Sequence, residues 1–203
     1  MNDGVKAKGK GRQQLVLILM LFSLPPLAAY VAWNYIGDHG AGSTNNAGTL
    51  VHPARPLAFN ALHNVKDEPL DVKATSGRWT FVIYANAGCD QICKEQLFVT
   101  RQTRISINKD MKRLKRLLIL DQMPDESLSK FLAEEHKDLL VAVSSPSASA
   151  LLEKFQGEGF GVSGKQYFLV DPIGNLMMFY DLKVNPRGLM KDLQKLLKVS
   201  QIG

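Results

Sequence analysis

Residues 79–93 read Trp-Thr-Phe-Val-Ile-Tyr-Ala-Asn-Ala-Gly-Cys-Asp-Gln-Ile-Cys, and they hold the only two cysteines of the chain, Cys89 and Cys93. The unbroken apolar run from Trp79 to Tyr84 predicts a buried strand, the small residues after it a turn, and the composition from Gln91 onward a helix. The cysteines therefore stand where a strand feeds a helix. Four residues of spacing put both sulfurs on one face of the first helical turn, about 5–6 Å apart between Cβ atoms. At that separation they can bridge or share a metal. Unpaired N–H groups and the macrodipole at a helix N-terminus favour a thiolate, which makes Cys89 the attacking or metal-binding sulfur. Cys93, one turn further in, is the more buried resolving thiol or second ligand. A plain structural disulfide, or two inert core thiols, is the blander alternative.

The start of the chain says where this chemistry takes place. Residues 1–14 form a basic arm with Lys6, Lys8, Lys10 and Arg12 against Asp3, and residues 15–36 are apolar. About 20 apolar residues cross a bilayer, and a basic leading segment stays in the cytoplasm. A cleaved signal peptide is the rival. The apolar region is long, Pro25-Pro26 interrupts it and no clean Ala-x-Ala site follows, so an uncleaved anchor is expected. Tyr30, Trp33 and Tyr35 suit an interfacial aromatic belt. The expectation is a single-pass protein of the cell inner membrane with its C-terminal domain in the periplasm. Disulfides persist there. Of the formal net charge of +6, the arm supplies +3 (four basic residues less Asp3), leaving +3 for the rest. So weak a field argues against a nucleic-acid partner.

Residues 37–48, rich in Gly, Ser and Asn, read as a flexible tether, and residues 49–203 as one domain. Its lead-in, residues 49–77, carries Pro53, Pro56 and Pro69 and is expected to be loop-rich, with residues 57–59 a short strand. Helical and strand periodicities then predict a helix over 90–107, a strand over 113–120, a helix over 127–136, a strand over 139–143 and a helix over 147–155. Strands over 167–170 and 176–180 flank a Pro- and Gly-containing hairpin turn, and an amphipathic helix over 186–199 presents Leu189, Leu193, Leu196 and Leu197 on one face. Alternation of this kind calls for an α/β sheet flanked by helices.

Three segments give residues 56–199 a resemblance to the Sco/SenC family of the thioredoxin-like superfamily: RWTFVIYANAGCDQICKEQL, LLILDQMPDESLSKFLAEE and YFLVDPIGNL. They are similar to the family's Cys-x-x-x-Cys turn, its second strand with loop and helix, and its closing hairpin. The resemblance implies a thioredoxin-like fold, a central mixed sheet flanked by helices, preceded by one N-terminal transmembrane helix. It further implies a role in building the dinuclear copper site of cytochrome c oxidase, by delivering copper or by reducing the acceptor's cysteines. A cytochrome c oxidase subunit or another assembly factor would be the partner, besides the inner membrane reached through residues 15–36. Cys89 and Cys93 carry over as the redox-active centre and as Cu(I) ligands.

Two features do not carry over. The family's copper-binding histidine falls at about Ser163, and residues 161–166 contain no histidine. Two thiolates alone suit soft Cu(I) and not a stable Cu(II) site. Where redox-active thioredoxins keep a cis-proline before a strand, this chain has Lys165 and Gln166. His39, His52, His63 and His136 read as solvated groups, though His52 or His63 can in principle fold over the thiols. The run Lys109, Lys112, Arg113, Lys115 and Arg116 reads as a solvated edge, Lys165 as a solvated loop residue, and at least one of Met177 and Met178 as core. The expected function is thiol:disulfide exchange or Cu(I) handling. The alternative is a non-catalytic assembly scaffold with a structural disulfide. A peroxiredoxin-like peroxidase is disfavoured, because Asn86-Ala87-Gly88 supplies neither the threonine nor the arginine such enzymes need.

Overall fold

The structure is a computed structural model that describes residues 7–39, 46–86, 88–163 and 165–200. The chain divides into two units, residues 1–45 and 46–203. In the first, one helix, α1 (Ala7–His39), runs through Pro25 and Pro26. Its apolar stretch Gly11–Ala32 is 22 residues long with no part buried. At 1.5 Å per residue it measures about 33 Å, enough to cross a hydrocarbon core of about 30 Å. Residues 1–6 and 40–45, and the side chains of Trp33 and Tyr35, lie outside the described residues, so the start of the basic arm and half of the expected tether are not described, while residues 37–39, read as tether, continue α1.

The second unit is built on β3 (Trp79–Ala85), which is buried at every residue. A strand with no polar face must be covered on both sides, and WTFVIYA therefore takes the middle of the sheet. After it come α2 (Gln91–Ser106), β4 (Leu114–Leu120), α3 (Glu126–Glu135), β5 (Leu139–Val143), α4 (Ser149–Glu153), β6 (Gln166–Val170), β7 (Asn175–Asp181) and α5 (Pro186–Val199). Ahead of it lie β1 (Thr49–Pro56) and β2 (His63–Asn64). The seven strands are ordered β1-β7-β6-β3-β4-β5-β2. β3, β4 and β5 are parallel, and the remaining pairings are antiparallel, so the sheet is mixed.

Because the chain steps from β3 to β4 to β5 in one direction, right-handed crossovers put α2 and α3 on the same face. On that face Phe81, Ile83, Leu114, Leu118, Tyr167 and Tyr180 pack with Leu97 of α2, Leu132 of α3 and Leu189, Leu193 and Leu197 of α5. The other face holds Val82, Tyr84, Leu117, Ile119 and Phe168 under Phe59, Leu62, Leu151 and Phe155.

The lead-in differs from its sequence-based reading. Residues 57–59 are not a strand. The strand is β1, antiparallel to β7 with a register irregularity between Leu50 and Arg55, and Phe59–Ala61 is a 3-10 turn. Pro53 and Pro56 are tolerated because β1 is an edge strand. The helix expected over 147–155 is a 3-10 turn, Pro146–Ala148, followed by the short α4. Ala47 and Gly48, read as the end of the tether, are tied to the domain by N–H bonds of 2.8 and 3.0 Å to the buried carboxylate of Asp192 on α5.

Candidate functional site

β3 ends at Ala85, and the chain turns through Gly88, whose φ of +93° lies in the left-handed region that favours glycine. Cys89 follows, half-buried, and Asp90 is the N-cap of α2. The Asp90 carboxylate accepts the Cys93 N–H at 2.8 Å. Cys89 is thus the residue before the cap and not part of the first helical turn, while Cys93 is the third helical residue and only 2 % exposed. The two are joined by a disulfide with Cα atoms 5.1 Å apart.

Neighbouring elements hold this turn in place. Gln96 Nε2 donates to the Gln166 carbonyl at 3.1 Å, fastening α2 to the start of β6, beside the position where redox-active thioredoxins keep a cis-proline. The Asp121 N–H donates to the Ala85 carbonyl at 3.3 Å, joining the ends of β3 and β4. Asp125 caps α3 by accepting the Leu128 N–H at 2.7 Å. The two loops enclose a cleft of about 350 Å³ lined by Cys89, Asp90, Lys94, Met123, Asp125 and Phe131, among others. Lys94 Nζ lies 5.5 Å from the centroid of the Phe131 ring, a cation–π contact across the cleft. Cys89 faces this opening, and Cys93 lies behind it in the core.

His52 and His63 stay away from the thiols. His52 is on β1 and His63 on β2, at opposite edges of the sheet and each three strand spacings from β3, about 14 Å. Neither folds over the site. His39 ends α1, and its side chain lies outside the described residues. His136 is not the solvated group expected. It is 5 % exposed, packs edge-on to Phe131, and its Nδ1 lies 3.5 Å from Arg116 Nη2. Burial first, and the Arg116 charge second, lower its pKa to about 4.

Arg116 likewise departs from the solvated edge of the sequence reading, since its side chain is completely buried. It donates to Thr100 Oγ1 and the Leu97 carbonyl of α2 and pairs with Asp138 at 3.3 Å. Burial pulls its pKa down to about 10, with Asp138 opposing the shift. Arg113 is also committed, donating to the Leu197 and Ser200 carbonyls at the end of α5. Met178 is core, Met177 is half-buried, and Ser163 and Lys165 are exposed. Gly164 lies outside the described residues.

Among the described residues no group of three His, Cys, Asp or Glu side chains could hold a metal ion. Reduced, the pair would offer two soft thiolates, a donor set that fits Cu(I) and lacks the imidazole expected for Cu(II). Sequence reasoning missed the wall opposite Cys89, formed by Met123, Asp125 and Phe131. Its signal was present, because the loop after a second parallel strand must emerge at the same sheet end as the cysteine turn.

A strand-to-helix turn carrying a cysteine pair on a mixed sheet, with an open cleft on one sulfur, defines a thioredoxin-like domain. The chain belongs to the family described as "Transmembrane-like, thioredoxin-like, C-terminal domain", whose model matches residues 79–200. Its fold is that of the Sco/SenC structures. ScoI from Arabidopsis thaliana, solved with copper bound, is 17 % identical with a TM-score of 0.55, covering 72 % of this chain and 99 % of its own. BsSco, described as a member of the Sco family of cytochrome c oxidase assembly proteins with a disulfide switch, is 13 % identical with a TM-score of 0.53, covering 75 % and 99 %. A thiol:disulfide interchange protein from Bacteroides sp. is 16 % identical with a TM-score of 0.51, covering 73 % and 91 %. No curated protein matches the chain.

Proposed function

We propose that the chain is a membrane-anchored thiol:disulfide exchange protein whose periplasmic domain reduces cysteines of a partner, in assembly of the cytochrome c oxidase copper site. The observation that carries this reading is the unequal exposure of the two sulfurs. Cys89 lines an open cleft and Cys93 is sealed in the core, so only Cys89 meets a substrate and only Cys93 can resolve it. The lysines and arginine of the arm favour a cytoplasmic N-terminus, which would put the domain on the oxidising side of the membrane.

In the working direction the Cys89 thiolate attacks one sulfur of the acceptor disulfide, forming a mixed disulfide and releasing the other acceptor sulfur as a thiolate. The Cys93 thiolate then attacks Cys89 Sγ, closing the Cys89–Cys93 disulfide and expelling the second acceptor thiol. Two electrons pass from the pair to the acceptor, and a dithiol donor must restore the reduced form. The present structure corresponds to the oxidised end of the cycle.

A second reading, Cu(I) handling by the reduced pair, is favoured by the soft donor set and by the copper found in ScoI from Arabidopsis thaliana. Equilibration of the detergent-solubilised full chain against thiol buffers tests the first. A pair that reduces and reoxidises above about −300 mV is expected. A pair that resists reduction below that potential would leave only the scaffold reading.

A further inference from the structure

We propose that Met123 supplies a third, thioether ligand to Cu(I) held by reduced Cys89 and Cys93. This inference rests on the copper-handling reading and extends it to the residue that stands in for the missing imidazole. β3 and β4 are parallel with Ala85 opposite Leu120, and the Asp121 N–H to Ala85 carbonyl bond continues their pairing past the strand ends. Cys89 lies four residues beyond Ala85 and Met123 three beyond Leu120, and both line the same cleft. A methionine side chain, unbranched with three rotatable bonds, is suited to closing such a gap.

The loop that carries Met123 is fixed, although its side chain is not buried. Met123 is 50 % exposed, yet Pro124 restricts the backbone of the preceding residue and Asp125 anchors the loop as the cap of α3. A half-exposed methionine in the lining of the cleft contributes little to packing.

Other donors are less suitable. Asp90 and Asp125, the cleft's carboxylates, accept cap N–H bonds and are hard ligands mismatched to Cu(I). His52 and His63 sit on the sheet edges, and His136 is packed against Arg116 and Phe131. Met178 is enclosed in the core, and Met177 on β7 does not line the cleft. Reduction of the disulfide by two electrons and two protons gives two thiols. Cu(I) then displaces the thiol protons, and the neutral thioether completes a three-sulfur set without adding charge.

The test is anaerobic Cu(I) titration of the reduced full chain in detergent against a competing chelator, with X-ray absorption at the copper edge. Met123→Leu is compared with wild type and with Met177→Leu. Three Cu–S contacts in wild type, falling to two in Met123→Leu with affinity roughly tenfold weaker, are expected, with Met177→Leu unchanged. Two contacts in wild type and equal affinity in Met123→Leu would overturn the proposal while leaving copper handling intact. Failure of wild type to bind Cu(I) in a chain whose thiols count as reduced would overturn the copper reading and this proposal together.

Discussion

Two neighbouring junctions of this domain are made from the same part and do different things. At the ends of β3 and β4 the chain turns into a helix through an aspartate cap with nearly the same backbone, φ −72° and ψ −174° at Asp90, φ −68° and ψ 174° at Asp125. Each carboxylate accepts the N–H of the third helical residue, at 2.8 and 2.7 Å. What differs is what flanks the cap. The first has a cysteine just before it and another at the third helical position, whereas the second has Met123-Pro124 and Leu128. Chemistry is therefore placed by substitution around a common cap, and the second junction serves as an internal control for the first.

The largest difference between them should appear in exchange with a disulfide substrate. Cys89→Ser is expected to abolish it, and Cys93→Ser to accumulate the mixed disulfide with Cys89, read by mass spectrometry of the trapped adduct. Losing a five-residue loop closure costs about 2 kcal/mol at most, so both variants should remain folded by circular dichroism. If Cys93→Ser formed the resolved product at the wild-type rate, the assignment of roles would be wrong.

The two helices share one buried tie, Arg116, which bonds α2 at Leu97 and Thr100 and reaches the turn after α3 at His136 and Asp138. Asp138→Ala leaves a fully buried guanidinium without its counter-charge, and removes the Arg104 pair at 3.4 Å as well. A loss of about 2–3 kcal/mol is expected in urea unfolding, below the usual cost of a broken buried pair because Asp138 is 28 % exposed. Little change would mean that water replaces the carboxylate.

His136 makes the same tie pH-sensitive. Its pKa is about 4 in the folded chain against 6.5 for an ordinary histidine, so between these values the unfolded state binds more protons. Stability then rises with pH across that window, and falls as pH drops from about 6.5 to 4, by up to about 3 kcal/mol in total. His136→Gln should flatten this part of the unfolding profile and leave the region above pH 7 with an offset only. An unchanged slope would assign the acid sensitivity to other groups.

How much of this was legible follows from the kind of signal each residue carries. β3, the cysteine turn and α5 were readable because their patterns are unambiguous: an all-apolar run, a fixed Cys spacing, and leucines recurring at helical intervals. β1 was not, since an edge strand needs only one buried residue, Val51 here, and tolerates the prolines that read as loop. Arg116 was misread by composition when its parity held the answer. Alternation puts it on the same face as Leu114 and Leu118, under α2, where a charged residue must find partners distant in sequence. Asp138 and His136 lie 22 and 20 residues on, beyond any local pattern.

The smallest expected effect bears most directly on the comparison. An aspartate N-cap contributes about 1 kcal/mol, and asparagine caps nearly as well. Asp90→Asn and Asp125→Asn should therefore both be nearly neutral in stability, and any difference between them must come from charge. At Asp125 the third helical residue is a leucine, and the carboxylate faces Cys89 only across the cleft. At Asp90 the carboxylate accepts the Cys93 N–H and belongs to the residue that follows Cys89 in the chain, so its charge is expected to oppose thiolate formation at the helix N-terminus. Removing that charge should stabilise the reduced, thiolate form, lowering the pH at which thiolate absorbance develops and raising the reduction potential. Asp125→Asn should do neither. A rise in potential seen equally in both variants would mean that the cleft's overall charge sets the potential. No rise in Asp90→Asn would mean that the aspartate serves α2 as a cap and nothing more, leaving the position of Cys89 as the sole determinant of reactivity.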